Sequence, residues 1–99
     1  MEITNENGSS VAHLSGEIDH HNARQLREEL DRHIINQRPT ELVMDMSAIT
    51  FMDSSGIGLI MGRCRLMNEC GGKLTVQSPQ PYIKRVLHLS GIERIVTIV

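Results

Sequence analysis

The sequence contains no tryptophan, one phenylalanine and one tyrosine. A core therefore has to be aliphatic, built from Leu, Ile, Val and six Met, and Met adapts more than it specifies. The same scarcity leaves almost no ring surface on which single-stranded bases could stack. Positive charge is not in excess either. Ten Lys and Arg face twelve Asp and Glu, a formal net charge of -2. That excludes the clustered basic footprint of a nucleic-acid binder. No run approaches the ~20 apolar residues of a membrane span, and no N-terminal stretch resembles a signal peptide. A soluble cytoplasmic protein is expected. Cys64 and Cys70 are the only cysteines. Six residues apart on one expected helix, they face nearly opposite ways, so no disulfide is expected between them. At 99 residues the chain has room for one compact domain.

What is present is a regular alternation. Asn7-Gly8 is the strongest hairpin signal and predicts two short strands within residues 1–18. Ala23, Leu26, Leu30 and Ile34 repeat at three and four, which predicts a helix over 21–36, capped by Asp19 or Asn22. Arg27, Glu28, Asp31 and Arg32 fall largely on its wet side. Leu42 to Met46 reads as a buried strand. Ile57, Ile60, Cys64 and Met67 predict a second helix from about Ser54 to the Gly71-Gly72 stop. Lys73 to Gln77 alternates as a strand. Pro79 and Pro81 open a third helix that Gly91 ends, with Ile83, Val86 and Leu87 on its apolar face. Ile95 to Val99 reads as a last strand. Strands separated by helices imply mostly parallel pairing with right-handed crossovers.

The chemistry concentrates between a strand and a helix, at Asp53-Ser54-Ser55-Gly56-Ile57-Gly58. Ligands of α/β sheets usually bind at such junctions. The plain structural reading is that Asp53 or Ser54 caps the helix. Two glycines in the first turns cost ~1 kcal/mol each relative to Ala. Either a partner approaches the backbone closely or the helix packs tightly on the sheet. Other chemistries lack their residues. His20-His21 are neighbours that would point apart on a strand or helix, with no third ligand at metal spacing. Ser54 follows Met52-Asp53, so there is no Gly-x-Ser-x-Gly elbow. No Gly-Lys-Ser or Gly-Lys-Thr makes a phosphate loop. No acid and base are paired, and no enzyme activity is expected. Arg63 and Arg65 read as solvated charges or as contacts for an acidic partner. Met52 and Met61 read as core.

Residues 51–63 resemble the phosphorylation segment of bacterial anti-sigma-factor antagonists, small proteins of the STAS fold. Gly16-Glu17-Ile18-Asp19-His20-His21 resembles the family's first strand-to-helix signature. Gly71 to Leu74 and Leu89 to Ile92 match its turns, so the resemblance spans nearly the whole chain and points to the sporulation branch over the general-stress branch. It implies a single α/β STAS domain over residues 1–99: an N-terminal hairpin, then alternating helices and strands, a mixed, mostly parallel sheet, and helices mainly on one face. The residue after the aspartate, Ser54, is then the phosphorylated serine, with Ser55 the fallback. Asp19, Asp53, Ser55, Gly56, Ile57, Gly58 and Arg63 support the site or meet the partner. The implied partners are an ATP-using anti-sigma factor that is also the serine kinase and a metal-dependent serine phosphatase. No cofactor, metal, nucleic acid or membrane is implied. Family members commonly carry one more C-terminal helix; residues 1–99 are not expected to include it, whether the sequence is shortened or the member dispenses with it, and a monomer or weak dimer is expected. The competing reading is a STAS-type module that binds a small ligand or nucleotide, against which stands the want of a loop long enough to enclose one.

Overall fold

The structure is a computed structural model, and it describes residues 1–99. Strands β1 (Glu2–Glu6) and β2 (Ser9–Ile18) form the expected hairpin. Asn7 and Gly8 both take positive φ, 51° and 82°, the backbone that a two-residue turn of matching twist requires. Then follow α1 (Ala23–Gln37), β3 (Glu41–Met52), α2 (Ser54–Glu69), β4 (Lys73–Gln77), α3 (Pro81–Ser90), a 3-10 turn over Ile92–Arg94, and β5 (Thr97–Ile98).

The strands lie in the order β1-β2-β3-β4-β5. Only β1 runs antiparallel to its neighbour; the other pairs are parallel. Each parallel step moves the same way across the sheet. Right-handed crossovers then put all three helices on one face. The register shows which residues meet them. Ala12, Met44 and Val76 are level across the sheet and fully buried, as is Leu42. Leu30 and Ile34 of α1, Ile60 and Met67 of α2, and Ile83 and Leu87 of α3 close over this layer. Each such aliphatic residue contributes about 1.5–3 kcal/mol relative to exposure. The opposite face carries Val11, Val43 and Thr75 in one row and His13, Asp45 and Gln77 in the next. His13 Nδ1 lies 3.0 Å from Asp45 Oδ2 there. Burial alone would raise the Asp45 pKa, but the Ser47 N–H and His13 outweigh it and hold it below the usual value.

Some expectations need correction. β3 runs on to Met52, well past Met46, because Ile49 and Met52 keep their side chains in the core. The last strand shrinks to Thr97–Ile98: Ile95 is exposed and ends a 3-10 turn, and beyond the strand the Val99 N–H still donates to the Val76 carbonyl of β4 at 2.9 Å. Pro81 is the first residue of α3, and Pro79 stays outside it. Met52 is buried as expected, but Met61 is 44% exposed. Both cysteines are free. No helix is long and apolar enough to cross a membrane.

Candidate functional site

Two neighbouring strands end side by side and each feeds a helix. Ile18 of β2 is level with Met52 of β3. Register shifts at His13–Ser15 and Gly16–Glu17, with Gly16 at φ 81°, adjust β2 so that this end alignment holds. The Asp53 N–H donates to the Ile18 carbonyl at 3.2 Å and ties the two junctions together. Asp19 and Asp53 are therefore the first residues past the sheet on adjacent strands.

Asp53 is the N-cap of α2. Its Oδ1 accepts from the Ser55 N–H at 2.8 Å. His20 Nδ1 stands 3.8 Å from the other carboxylate oxygen. Burial works against the charged form, but hydrogen bonds from Ser55 and from the His20 backbone, with the His20 ring nearby, outweigh it. The Asp53 pKa is lowered, so the residue is ionised at neutral pH. Asp19 has a similar role on the adjacent strand. Its Oδ1 accepts from the N–H of His21 at 2.9 Å and of Asn22 at 3.2 Å. The Asn22 side chain accepts from the Asp19 N–H and donates to the Glu17 carbonyl. Asp19 thus caps the turn before α1, and Asn22 braces that turn from the outside. His20 and His21 lie in this turn, on neither strand nor helix. Their rings come together, with centroids 4.0 Å apart, and so do not point apart as expected. No group of three metal-ligating side chains exists.

Ser54 is the first residue of α2 and is exposed; Ser55 is half-buried. The Ser55 side chain also faces the Asp53 carboxylate and helps to lower its pKa, whereas the Ser54 hydroxyl has no hydrogen-bond partner. The two glycines separate cleanly. A Cβ on Gly56 would lie 2.3 Å from Met52 Cγ, so Gly56 is needed for α2 to sit on β3. A Cβ on Gly58 would meet nothing within 4 Å. Gly62, one turn on, is equally open. Tight packing explains the first glycine and leaves the second as bare helix surface beside the serines. Ile57 is half-buried next to them.

Arg63 is not a solvated charge. Its side chain is 9% exposed, and Nε sits 2.8 Å from Asp31 Oδ1 on α1. That contact is an ion pair without hydrogen-bond alignment: Nε, Nη1 and the carboxylate oxygen are all buried without a hydrogen-bond partner. Burial lowers the Arg63 pKa, Asp31 raises it, and nearby Arg27 lowers it again. Asp31 accordingly leaves the wet side of α1, whereas Arg27 and Arg32 stay on it. Sequence reasoning missed that α1 and α2 form one cleft. It is about 370 Å³ in volume and is lined by Ala23, Arg24, Arg27, Ser55, Gly58, Leu59 and Arg63. The signal was available in Arg24 and Arg27, three apart at the start of a helix expected to neighbour the second.

A model of the STAS domain matches residues 1–99. The anti-sigma F factor antagonist of Paenibacillus polymyxa is 36% identical over 98 residues, which cover 99% of this chain and 84% of that protein. The anti-sigma factor antagonist SpoIIAA in its unphosphorylated form superposes with a TM-score of 0.85 at 28% identity, over 99% of this chain and 86% of the other. The Bacillus cell fate determinant SpoIIAA in its phosphorylated form gives 0.75 at 28% identity, over 99% and 89%. With its hairpin, its parallel strands and its helices on one face, the chain belongs to the STAS domain family, among the anti-sigma-factor antagonists.

Proposed function

We propose that this chain is a phosphorylation-controlled anti-sigma-factor antagonist of the sigma F type, working in the cytoplasm by binding and without catalysing a reaction. Unphosphorylated, it engages an anti-sigma factor and so frees a sigma factor. The anti-sigma factor doubles as the serine kinase, and a metal-dependent phosphatase reverses the modification. The observation that carries this reading is Ser54: an exposed hydroxyl on the first residue of α2, directly after an aspartate that already caps the helix. The likeness to antagonists solved with and without phosphate supports it.

The physics favours a switch at the interface over a switch in the fold. A phosphoserine adds about -1.5 to -2 of charge. The N-terminus of a helix tolerates that charge, since its free N–H groups and its dipole favour anions. The fold can therefore stay as it is. Where the partner presents a nucleotide phosphate near Ser54, two negative groups face each other. At ~4 Å this costs ~1 kcal/mol in water and ~4 kcal/mol at an effective dielectric of ~20. Binding then weakens by roughly five- to thousandfold. Asp53 holds the serine in place through the cap of α2, Asp19 supports the neighbouring junction, and Gly58 leaves room for the partner's surface.

Incubation with the cognate kinase and ATP is expected to add one phosphate. Ser54→Ala should abolish it and Ser55→Ala should retain it, as read by intact-protein mass. The opposite pattern would move the site to Ser55, and labelling of neither serine would sink the reading.

A further inference from the structure

The cleft between α1 and α2 has features that helix capping and core packing leave unused. Its floor is small, with Ala23 on one side and Gly58 on the other. Its walls carry three guanidinium groups. Arg24 is paired only with Glu28, four residues on, in an exposed contact at 3.2 Å that contributes little. Arg27 forms no ion pair. Arg63 is buried, balanced in charge by Asp31, and left with Nε and Nη1 unbonded. A buried guanidinium whose donors lack aligned acceptors is costly: water has been removed, and Asp31 beside Nε balances the charge without making a hydrogen bond. An acceptor with several oxygens and a negative charge would satisfy them. Ser55 and the start of α2 border the same space.

We propose that this cleft is a phosphate pocket, in which Arg63, Arg27 and Arg24 hold a phosphate group beside the N-terminal turn of α2. A planar guanidinium fork matches phosphate oxygens in pairs. The absence of any aromatic lining residue limits recognition to the phosphate, with no place for a base to stack. The phosphate has two possible sources. One is the phosphoserine at position 54, folding back onto the cleft. The other is a phosphate held by the bound partner. Only the choice of source rests on the proposed modification of Ser54; the pocket itself does not.

Inorganic phosphate titrated into the unphosphorylated chain, followed by amide and arginine Nε–H NMR signals, tests the pocket without any partner. Saturable shifts are expected at Ser55, Gly58, Leu59 and the three arginines, in the millimolar range set by a solvent-open site. Arg27→Gln should weaken this binding about fivefold or more, and Arg85→Gln on α3 should not change it. Arg63→Lys keeps the charge but loses the fork and should also weaken binding while preserving the amide spectrum. A chain carrying phosphoserine at position 54 then separates the sources. Loss of phosphate binding, with arginine signals already shifted, assigns the pocket to the phosphoserine. Retained binding assigns it to a phosphate from the partner. Linear shifts without saturation, equal binding in Arg27→Gln, or acetate binding as well as phosphate would each overturn the pocket. Those results leave the Ser54 labelling experiment untouched.

Discussion

The two strand-to-helix junctions at the β2 and β3 ends are near copies with opposite surfaces. Both begin with an aspartate one residue past the sheet, and both aspartates accept backbone N–H groups. At the first junction four residues intervene before α1, and the nearby polar groups are consumed: Asn22 closes back on Asp19 and Glu17. At the second junction α2 starts at once, so the cap occupies one residue and the exposed Ser54 hydroxyl is left over. The same capping chemistry thus builds a closed corner on one strand and an open corner with an exposed serine on the next. What separates them is the length of the turn and the absence of side chains past it, at Gly56 and Gly58.

The largest expected effect lies in those two glycines, whose substitutions should act with opposite signs. Gly56→Ala places a methyl 2.3 Å from Met52 Cγ, near the root of that side chain, where it cannot simply swing aside. Overpacking of this kind costs about 1–3 kcal/mol, more than the ~1 kcal/mol that alanine gains in helix propensity. Thermal melting should fall by several degrees, since ~1 kcal/mol shifts a domain of this size by about 4–8 °C. Gly58→Ala meets nothing and should raise stability by up to ~1 kcal/mol. If the proposed function holds, its methyl would stand on the face that meets the anti-sigma factor, and affinity there should drop about tenfold, as measured by calorimetry. If both variants are destabilised alike, the division between a packing glycine and an interface glycine is wrong.

A smaller effect compares the two aspartates. Asp19→Ala removes two accepted N–H bonds from the turn before α1 and should lower stability by about 1 kcal/mol in urea titration. Kinase labelling of Ser54 should survive it, because the Asp53 cap persists. Asp53→Ala should reduce labelling more than it reduces stability, since its carboxylate fixes the very turn that presents the serine. Equal loss of labelling in both variants would make the two corners a single unit, coupled through the Asp53 N–H to the Ile18 carbonyl.

Much of this arrangement was legible from residues alone, and the exceptions share a cause. The Asn7-Gly8 turn, the three helices and the Gly91 stop follow from local preferences, and local preferences are written in sequence. The junction at Asp53 was legible for the same reason: a capping residue and a serine pair before an amphipathic run. The misses involve contacts between elements distant in sequence. Arg63 reads as a surface charge until Asp31, 32 residues earlier, turns out to sit across the cleft from it. Gly56 and Gly58 look equivalent until β3 continues to Met52 and brings that side chain under only one of them. The late start of β5 follows from the 3-10 turn over Ile92–Arg94, which packs Ile92 and Val96 into the core and leaves Ile95 outward. Pairing across the fold, rather than propensity, decided each of these.

The smallest expected effect sets the open corner against the far end of the same helix layer, through pH. His33 Nε2 on α1 lies 2.8 Å from Ser10 Oγ, whose hydroxyl donates to Asn5 Oδ1. With that proton spent on Asn5, the His33 ring acts as the donor to Ser10. Burial lowers the His33 pKa from its ordinary 6.5, so the folded state prefers the neutral ring. The unfolded chain then binds the proton first, and stability declines as pH falls below about 6.5. Asp53 has the opposite logic in a different window. Its folded pKa lies below the ordinary 3.8, so its contribution is full above that value and is lost as pH falls through the folded one. Urea midpoints measured from pH 7 to pH 3 should therefore fall in two stages. His33→Gln, which can still donate to Ser10, should flatten the stage below about pH 6.5 and leave the acid stage in place. Asp53→Asn should leave the first stage in place and reduce the acid stage, of which Asp45 supplies a further part. A His33→Gln profile that keeps the full decline below about pH 6.5 would show that this stage does not come from the buried His33 ring.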